Sequence, residues 1–351
     1  MPHNRQDEAD RYIEAAQKSM AHVAFAVLIS PSPCLDGSRL DEDYFCKRGA
    51  KEAKAFNLEQ ILTVLTMMDR GILLAIIDGT LPRRSLTDLQ QAVRQERNIP
   101  DAIPGIYVNY VADKNGIHPT KKDITSIVEA MEKYIDEFED VKVFSRVIDY
   151  IFKPRDPAQV LLSGEPDGPI RGGISEVGFS INITSRLLNH KKHQESQGVM
   201  TLFDACGQHL FPDRYAIQGF PVVRVVNPLV VDMAESLISR LASSYVTWGW
   251  GFNANQAGAS VQGVNSLSIL QASTDQNGKD SWATIEAEAS TTGIEEELSL
   301  VKDYTAVCRD EMADIIHPHT TLLDADYVAQ QRYHAQFKRL RGLASDEADA
   351  A

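Results

Sequence analysis

Apolar and polar positions alternate in blocks along the first 150 residues. Residues 5–20 carry apolar side chains at helical spacing and read as an amphipathic helix. His22-Val-Ala-Phe-Ala-Val-Leu-Ile29 is a near-continuous apolar run that stops at Ser30-Pro-Ser-Pro33. A short apolar run bounded by breakers suits a strand covered on both faces. A helical pattern covers 48–70, and Ile72–Ile77 reads as a second covered strand ending at Asp78-Gly79. Ser85-Leu-Thr-Asp88 and Thr120-Lys-Lys-Asp123 are helix starts, each pairing a hydroxyl cap with an acid three residues on. Between them Ile106-Tyr-Val-Asn-Tyr-Val111 reads as a third strand ending at Asp113, and residues 141–148 as a fourth.

Strands alternating with helices at this spacing predict an α/β fold, with a mostly parallel sheet flanked by helices. Residues 153–173 break the pattern with Pro and Gly, as a junction or a lid loop. The alternation then resumes. A helix is expected at 174–190, strands at 199–203 and 220–226, a helix at 229–242 and a strand at 244–248. The chain thus divides into an α/β unit at 1–152, the junction, a second α/β unit at 174–282, and a helical C-terminal extension with a frayed acidic tail at 283–351.

The stretch Thr247-Trp-Gly-Trp-Gly-Phe-Asn-Ala-Asn-Gln-Ala-Gly258 holds two of the three tryptophans of the chain. Gly249 and Gly251 permit a tight turn and a close backbone approach. The stretch is expected to be a strand end turning into a helix near Gln256. Trp248 and Trp250 then offer flat walls for a sugar ring or a base, or else fill a core.

In open α/β sheets, ligands bind beyond the carboxyl ends of the strands. The residues predicted there are Asp78, Asp113, Asp204, Asn227, Asn253 and Asn255. Carboxylates can act as bases or metal ligands, and carboxamides can orient hydroxyls and oxyanions. The same residue types are also favoured in turns and caps for local reasons. His118, just after the third strand, is a candidate general acid or base. Arg171, among Gly164, Gly168, Gly172 and Gly173, is a candidate anion ligand. The candidate catalytic set is therefore Asp78, Asp113, His118 and Asp204. The candidate substrate-binding set is Arg171, Asn227, Trp250, Asn253 and Asn255. No metal ligand is assigned and the cofactor is unknown, with a divalent metal as one option.

Net charge is −14 over 351 residues, with no basic stripe, which disfavours a phosphate backbone as partner. Four widely spaced cysteines without a CxxC fit a reduced, cytoplasmic setting. The longest apolar run, Ile72–Ile77, is too short to span a bilayer, and the polar first ten residues hold no apolar signal segment. No GxSxG nucleophile elbow is present.

Four stretches, Gly173-Ile-Ser-Glu-Val-Gly-Phe-Ser180, Ser185-Arg-Leu-Leu-Asn189, Phe220-Pro-Val-Val-Arg-Val-Val-Asn227 and Gly249-Trp-Gly-Phe-Asn-Ala-Asn-Gln-Ala-Gly258, resemble a family of uncharacterised bacterial α/β proteins. Members carry a "DE-V" helix midway and a late "GWN…N-LG" turn. The chain departs from that pattern in having Ser175 before Glu176 and Gly251-Phe252 inside the turn. The resemblance implies a fold and no reaction. The expected function is an enzyme acting on a small sugar-like or nucleotide-like substrate by hydrolysis or group transfer. The alternative is a non-catalytic binding or assembly protein, with the C-terminal helices forming a homo-oligomer.

Overall fold

The computed structural model describes residues 5–30, 60–84, 104–137, 148–149, 152, 168–192, 198–225, 230–246 and 250–253. The expected strand at 141–148, apart from its last residue Ile148, which is helical, the helix at Ser85, the helix near Gln256 and the C-terminal helices lie outside the described residues.

The sheet has three strands, β1 (Gly105–Ala112), β2 (Ser175–Ser180) and β3 (Ala216–Arg224), in the order β2-β1-β3. Both pairings are antiparallel, so the expectation of a mostly parallel sheet is overturned. The register places Asn109 between Glu176 and Gly219, and Tyr107 between Gly178 and Pro221. A register shift between Ile106 and Tyr107 leaves Val222 unpaired, next to Pro221, a residue that cannot donate to a ladder.

The helices are α1 (Arg5–Lys18), α2 (Met20–Ile29), α3 (Gln60–Thr66), α4 (Arg70–Ile77), α5 (Lys121–Glu137), α6 (Ile183–Lys191), α7 (Gly198–Leu210) and α8 (Val231–Leu241). The two apolar runs read as strands are α2 and α4, and the expected strand at 199–203 is the first half of α7. The reason is burial on all sides. In α2, Ala21, Val23, Ala24, Ala26, Val27 and Leu28 are all buried, so no polar stripe marks the helical period. The caps carry the helical signal instead. Ser19 Oγ accepts from the His22 N–H at 3.2 Å, and Asp69 Oδ1 accepts from the Ile72 N–H at 3.0 Å. Conversely, residues 174–190, expected as one helix, hold strand β2 and helix α6.

Because side chains alternate across a strand, β1 serves two layers. Ile106, Val108 and Tyr110 join Val177, Phe220 and Val222 in a core with α1–α4 and α8. Helix α8 is buried along its whole length except at Asp232. Its buried Arg240 donates from Nη1 to the Val27 carbonyl at 3.0 Å and reaches that of Ser30 at 3.4 Å, satisfying carbonyls at the end of α2. Ser30 Oγ lies 2.8 Å from Tyr12 Oη and also bonds Glu8, which ties α1 to the same point.

On the other side, Val111 and Ile217 pack with α5, α7 and an aromatic group of Phe152, Phe203, Trp250 and Phe252. Helix α5 starts at the expected capping box. The Asp123 N–H donates to Thr120 Oγ1 at 3.1 Å, and the Thr120 N–H donates back to Asp123 Oδ2 at 3.2 Å. Tyr215 Oη donates to the same carboxylate at 2.7 Å.

No single helix among the described residues is long and apolar enough to cross a membrane. Helices α3 and α4 reach that length only together, and they are bent by 107°.

Burial acts to raise the Asp123 pKa, but hydrogen bonds from Tyr215 and Thr120 and the Arg214 charge outweigh it and hold the pKa below its ordinary value of 3.8. A carboxyl depressed by folding stabilises above its unfolded pKa and loses that contribution as pH falls through its folded one. Asp123→Asn is therefore expected to lower the urea midpoint at pH 6, with the gap to the wild type narrowing as the pH falls below the ordinary carboxyl range. An equal gap at both pH values would show that the carboxylate charge is not the stabilising element.

Candidate functional site

The residues singled out from the sequence fall into three places. Asp78, Asp113, His118 and Arg171 come together in neighbouring loops, but each is engaged there by the protein. Asp78 is the C-cap of α4 and pairs with Arg171 Nε at 3.0 Å, on the surface. Arg171 Nη2 also pairs with Asp10 at 2.9 Å, so the guanidinium bridges α1 to α4. Asp113 Oδ1 accepts the N–H groups of Asn115 and Ile117, both at 2.8 Å, closing its own turn. His118 is buried, with Nδ1 3.0 Å from the Val111 carbonyl and Nε2 2.6 Å from the Gly79 carbonyl. The ring lies between these two carbonyls and staples β1 to the loop after α4.

Asp204 is buried inside α7 rather than at a strand end. Trp250 has φ +64° and sits edge-on to Phe152 at 6.2 Å, as core. Asn227 and Asn255 lie outside the described residues. Asn253 has a backbone role. Its Nδ2 donates to the Val177 carbonyl at 2.7 Å, and its Oδ1 accepts the Val177 N–H at 2.8 Å. The Phe252 N–H donates to the Ser175 carbonyl at 2.9 Å. The tryptophan-rich stretch is thus fastened along the outer edge of β2.

The groups best placed for chemistry lie under α6, in the middle of the sheet. Tyr107 and Asn109 are two apart on β1, Glu176 faces them from β2, and Arg186 and His190 are four apart on α6. Two glycines let α6 come close and a third makes room for the Tyr107 phenol. A Cβ on Gly105 would collide with Ile183, one on Gly178 with the Tyr107 hydroxyl, and one on Gly219 with Leu187. Asn109 Nδ2 donates to Glu176 Oε2 at 3.0 Å. Arg186 Nε donates to Tyr107 Oη at 3.2 Å, and that hydroxyl lies 3.1 Å from His190 Nε2. With the hydroxyl donating to Nε2, the ring proton sits on Nδ1, which faces Glu176 Oε2 at 3.7 Å. The result is a chain of carboxylate, imidazole and phenol, with a guanidinium at its phenol end.

Burial pushes the Glu176 carboxyl above its ordinary value of 4.5, with Asn109 and the Arg186 charge pulling the other way. Burial, and then the Glu176 charge, also push the Tyr107 phenol up. The cluster is nearly closed, and the Glu176 side chain keeps 12% exposure. Among the described residues, no group of three or more His, Cys, Asp or Glu side chains is placed to hold a metal ion.

Sequence reasoning missed all five of these residues as a site. Glu176 and Arg186 entered only through the family resemblance. The available signal was spacing. Tyr107/Asn109 and Glu176/Gly178 at strand period, with Arg186/His190 at helix period, put them on facing surfaces.

No family model, no curated protein and no solved structure matches the chain. The resemblance to uncharacterised bacterial proteins therefore rests on its motifs alone.

Asn253→Ala leaves both polar groups of Val177 without their partner, and is expected to destabilise the fold by roughly 1–3 kcal/mol at unchanged m value. Urea denaturation measures this. A stability equal to wild type would show that the carboxamide is not a structural element of the sheet edge.

Proposed function

We propose that the protein is an enzyme acting on a small polar substrate by hydrolysis or group transfer, and that Glu176, His190 and Tyr107 move the proton. The observation that supports this is the series Glu176–His190–Tyr107–Arg186, largely removed from water, in which the phenol is within hydrogen-bond reach of both His190 and Arg186 and Glu176 stands 3.7 Å from the imidazole. A buried carboxylate beside an imidazole is a base of tunable strength. In this reading the imidazole works from its other tautomer, with the proton on Nε2: Tyr107 gives its proton to the leaving group and is reprotonated from Nε2, while Glu176 takes a proton from the attacking group and passes it to Nδ1. Arg186 steadies the negative charge that builds on the phenol oxygen when Tyr107 donates.

This moves the proposed chemistry away from Asp78, Asp113, His118 and Asp204, whose hydrogen-bonding or burial already has a structural account. A cytoplasmic setting is proposed on the cysteine usage, and a partner other than nucleic acid on the charge. The assembly alternative, through the C-terminal helices, depends on residues outside those described.

Two measurements test the reading. Chromogenic esters, phosphates and glycosides screened against the wild type are expected to give turnover with one class. Glu176→Gln and His190→Asn are then expected to lower it by about 10²-fold or more, with the circular dichroism spectrum preserved. Turnover that survives both substitutions would place the chemistry elsewhere.

The second measurement is pH dependence of stability. A carboxyl whose pKa is raised by folding contributes stability below its unfolded value, and loses it as pH rises through the folded one. The wild type is therefore expected to fall behind Glu176→Gln above the ordinary carboxyl range and to match or exceed it below about pH 4. Urea midpoints at pH 3.5, 5.5 and 7.5 read this out. A wild type more stable than the variant at pH 7.5 would mean that the carboxylate is there for stability.

A further inference from the structure

Resting on that reading of the site, we propose that the substrate group held there is a nitrogen cation, a primary ammonium or a guanidinium. The inference comes from which hydrogen-bonding atoms under α6 remain open. On the donor side, Asn109 Nδ2 is given to Glu176 and Arg186 Nε to the Tyr107 hydroxyl, and that hydroxyl faces His190 Nε2. On the acceptor side two atoms remain. Asn109 Oδ1 is fully buried and has no hydrogen-bond partner among the described residues. Among the described residues both contacts of Glu176 fall on Oε2, leaving Oε1 as the open end of a carboxylate that is still partly exposed.

A buried carbonyl without a partner costs roughly 1–3 kcal/mol, so native proteins rarely keep one without a use. The row Glu176–Asn109–Gly219 sets both open acceptors side by side on one face of the sheet. A sugar hydroxyl donates one proton but brings two lone pairs, and the donors named above are taken. An ammonium or guanidinium brings donors only and neutralises the Glu176 charge. Gly219 leaves its backbone bare beside Asn109 Oδ1, and the half-buried Leu187 side chain covers the spot. Leu187 must swing outward for the ligand nitrogen to reach Oδ1.

Titration of the full-length chain followed by NMR tests this. The probes are methylammonium and methylguanidinium, with acetamide, glucose and inorganic phosphate as the comparison arms. The expected result is saturable binding of one nitrogen cation, with a shift of the Asn109 side-chain amide resonances, and at least about tenfold weaker binding to Glu176→Gln. The wild-type Asn109 shift stands alone if that variant fails to fold. Cation binding unchanged in Glu176→Gln, or an Asn109 resonance that does not move at saturation, overturns the inference. Binding of glucose or phosphate that depends on Glu176, with none of the cations, overturns the inference and leaves the catalytic reading standing. No Glu176-dependent binding by any probe, together with turnover indifferent to Glu176, removes both.

Discussion

Strand β1 is buried along all eight of its residues and sits between two partners. No water reaches its backbone, so each N–H and C=O must find a partner inside the protein. β2 and β3 supply most of these, and the Ile174 carbonyl accepts the Val111 N–H at 3.2 Å. Both faces of β1 must also be covered, and this sets the layout of helices. One layer is apolar throughout at β1, with Ile106, Val108 and Tyr110 against α8 and its neighbours. The other layer is divided. Val111 faces the aromatic group near α5 and α7, while Tyr107 and Asn109 face α6. A sheet that must be sealed on both sides has thus been sealed, over part of one side, with ionisable groups.

That choice runs against stability. Leucine or valine at 107, 109 and 176 would fill such a layer without desolvating a carboxylate. The protein instead keeps a carboxylate, an imidazole, a phenol and a guanidinium in one series, and the Asn109 carbonyl oxygen has no donor among the described residues. Local rules of foldability are commonly broken where function needs it. The contrast with Arg240 is useful. That cation is buried too, but it donates to carbonyls at the end of a helix, so its role is explained by the fold.

Legibility in the sequence followed the physics of burial. Helix α5 was readable because Thr120 and Asp123 cap it and one of its faces is wet. β1 was readable from its β-branched and aromatic residues. Helices α2 and α4 were misread because a helix enclosed on all sides loses its polar stripe, and only Ser19 and Asp69 mark their starts. With those two runs taken as strands, a parallel alternation followed, and acids after the apolar runs were placed at strand ends that do not exist. Asp78 ends a helix and Asp204 lies within one. The cluster under α6 was hidden for another reason. Its members come from 107 to 190, and their meeting depends on register between strands that no local pattern specifies.

The late turn shows how a single carboxamide can stand in for a peptide group. Asn253 presents one N–H and one C=O to Val177, as a neighbouring strand would. That stretch of β2 is consequently closed to any incoming chain, because both of its ladder groups are already taken. The protein guards against templated polymerisation there with one side chain. A designer wishing to extend this sheet by a fourth strand would have to remove that side chain first.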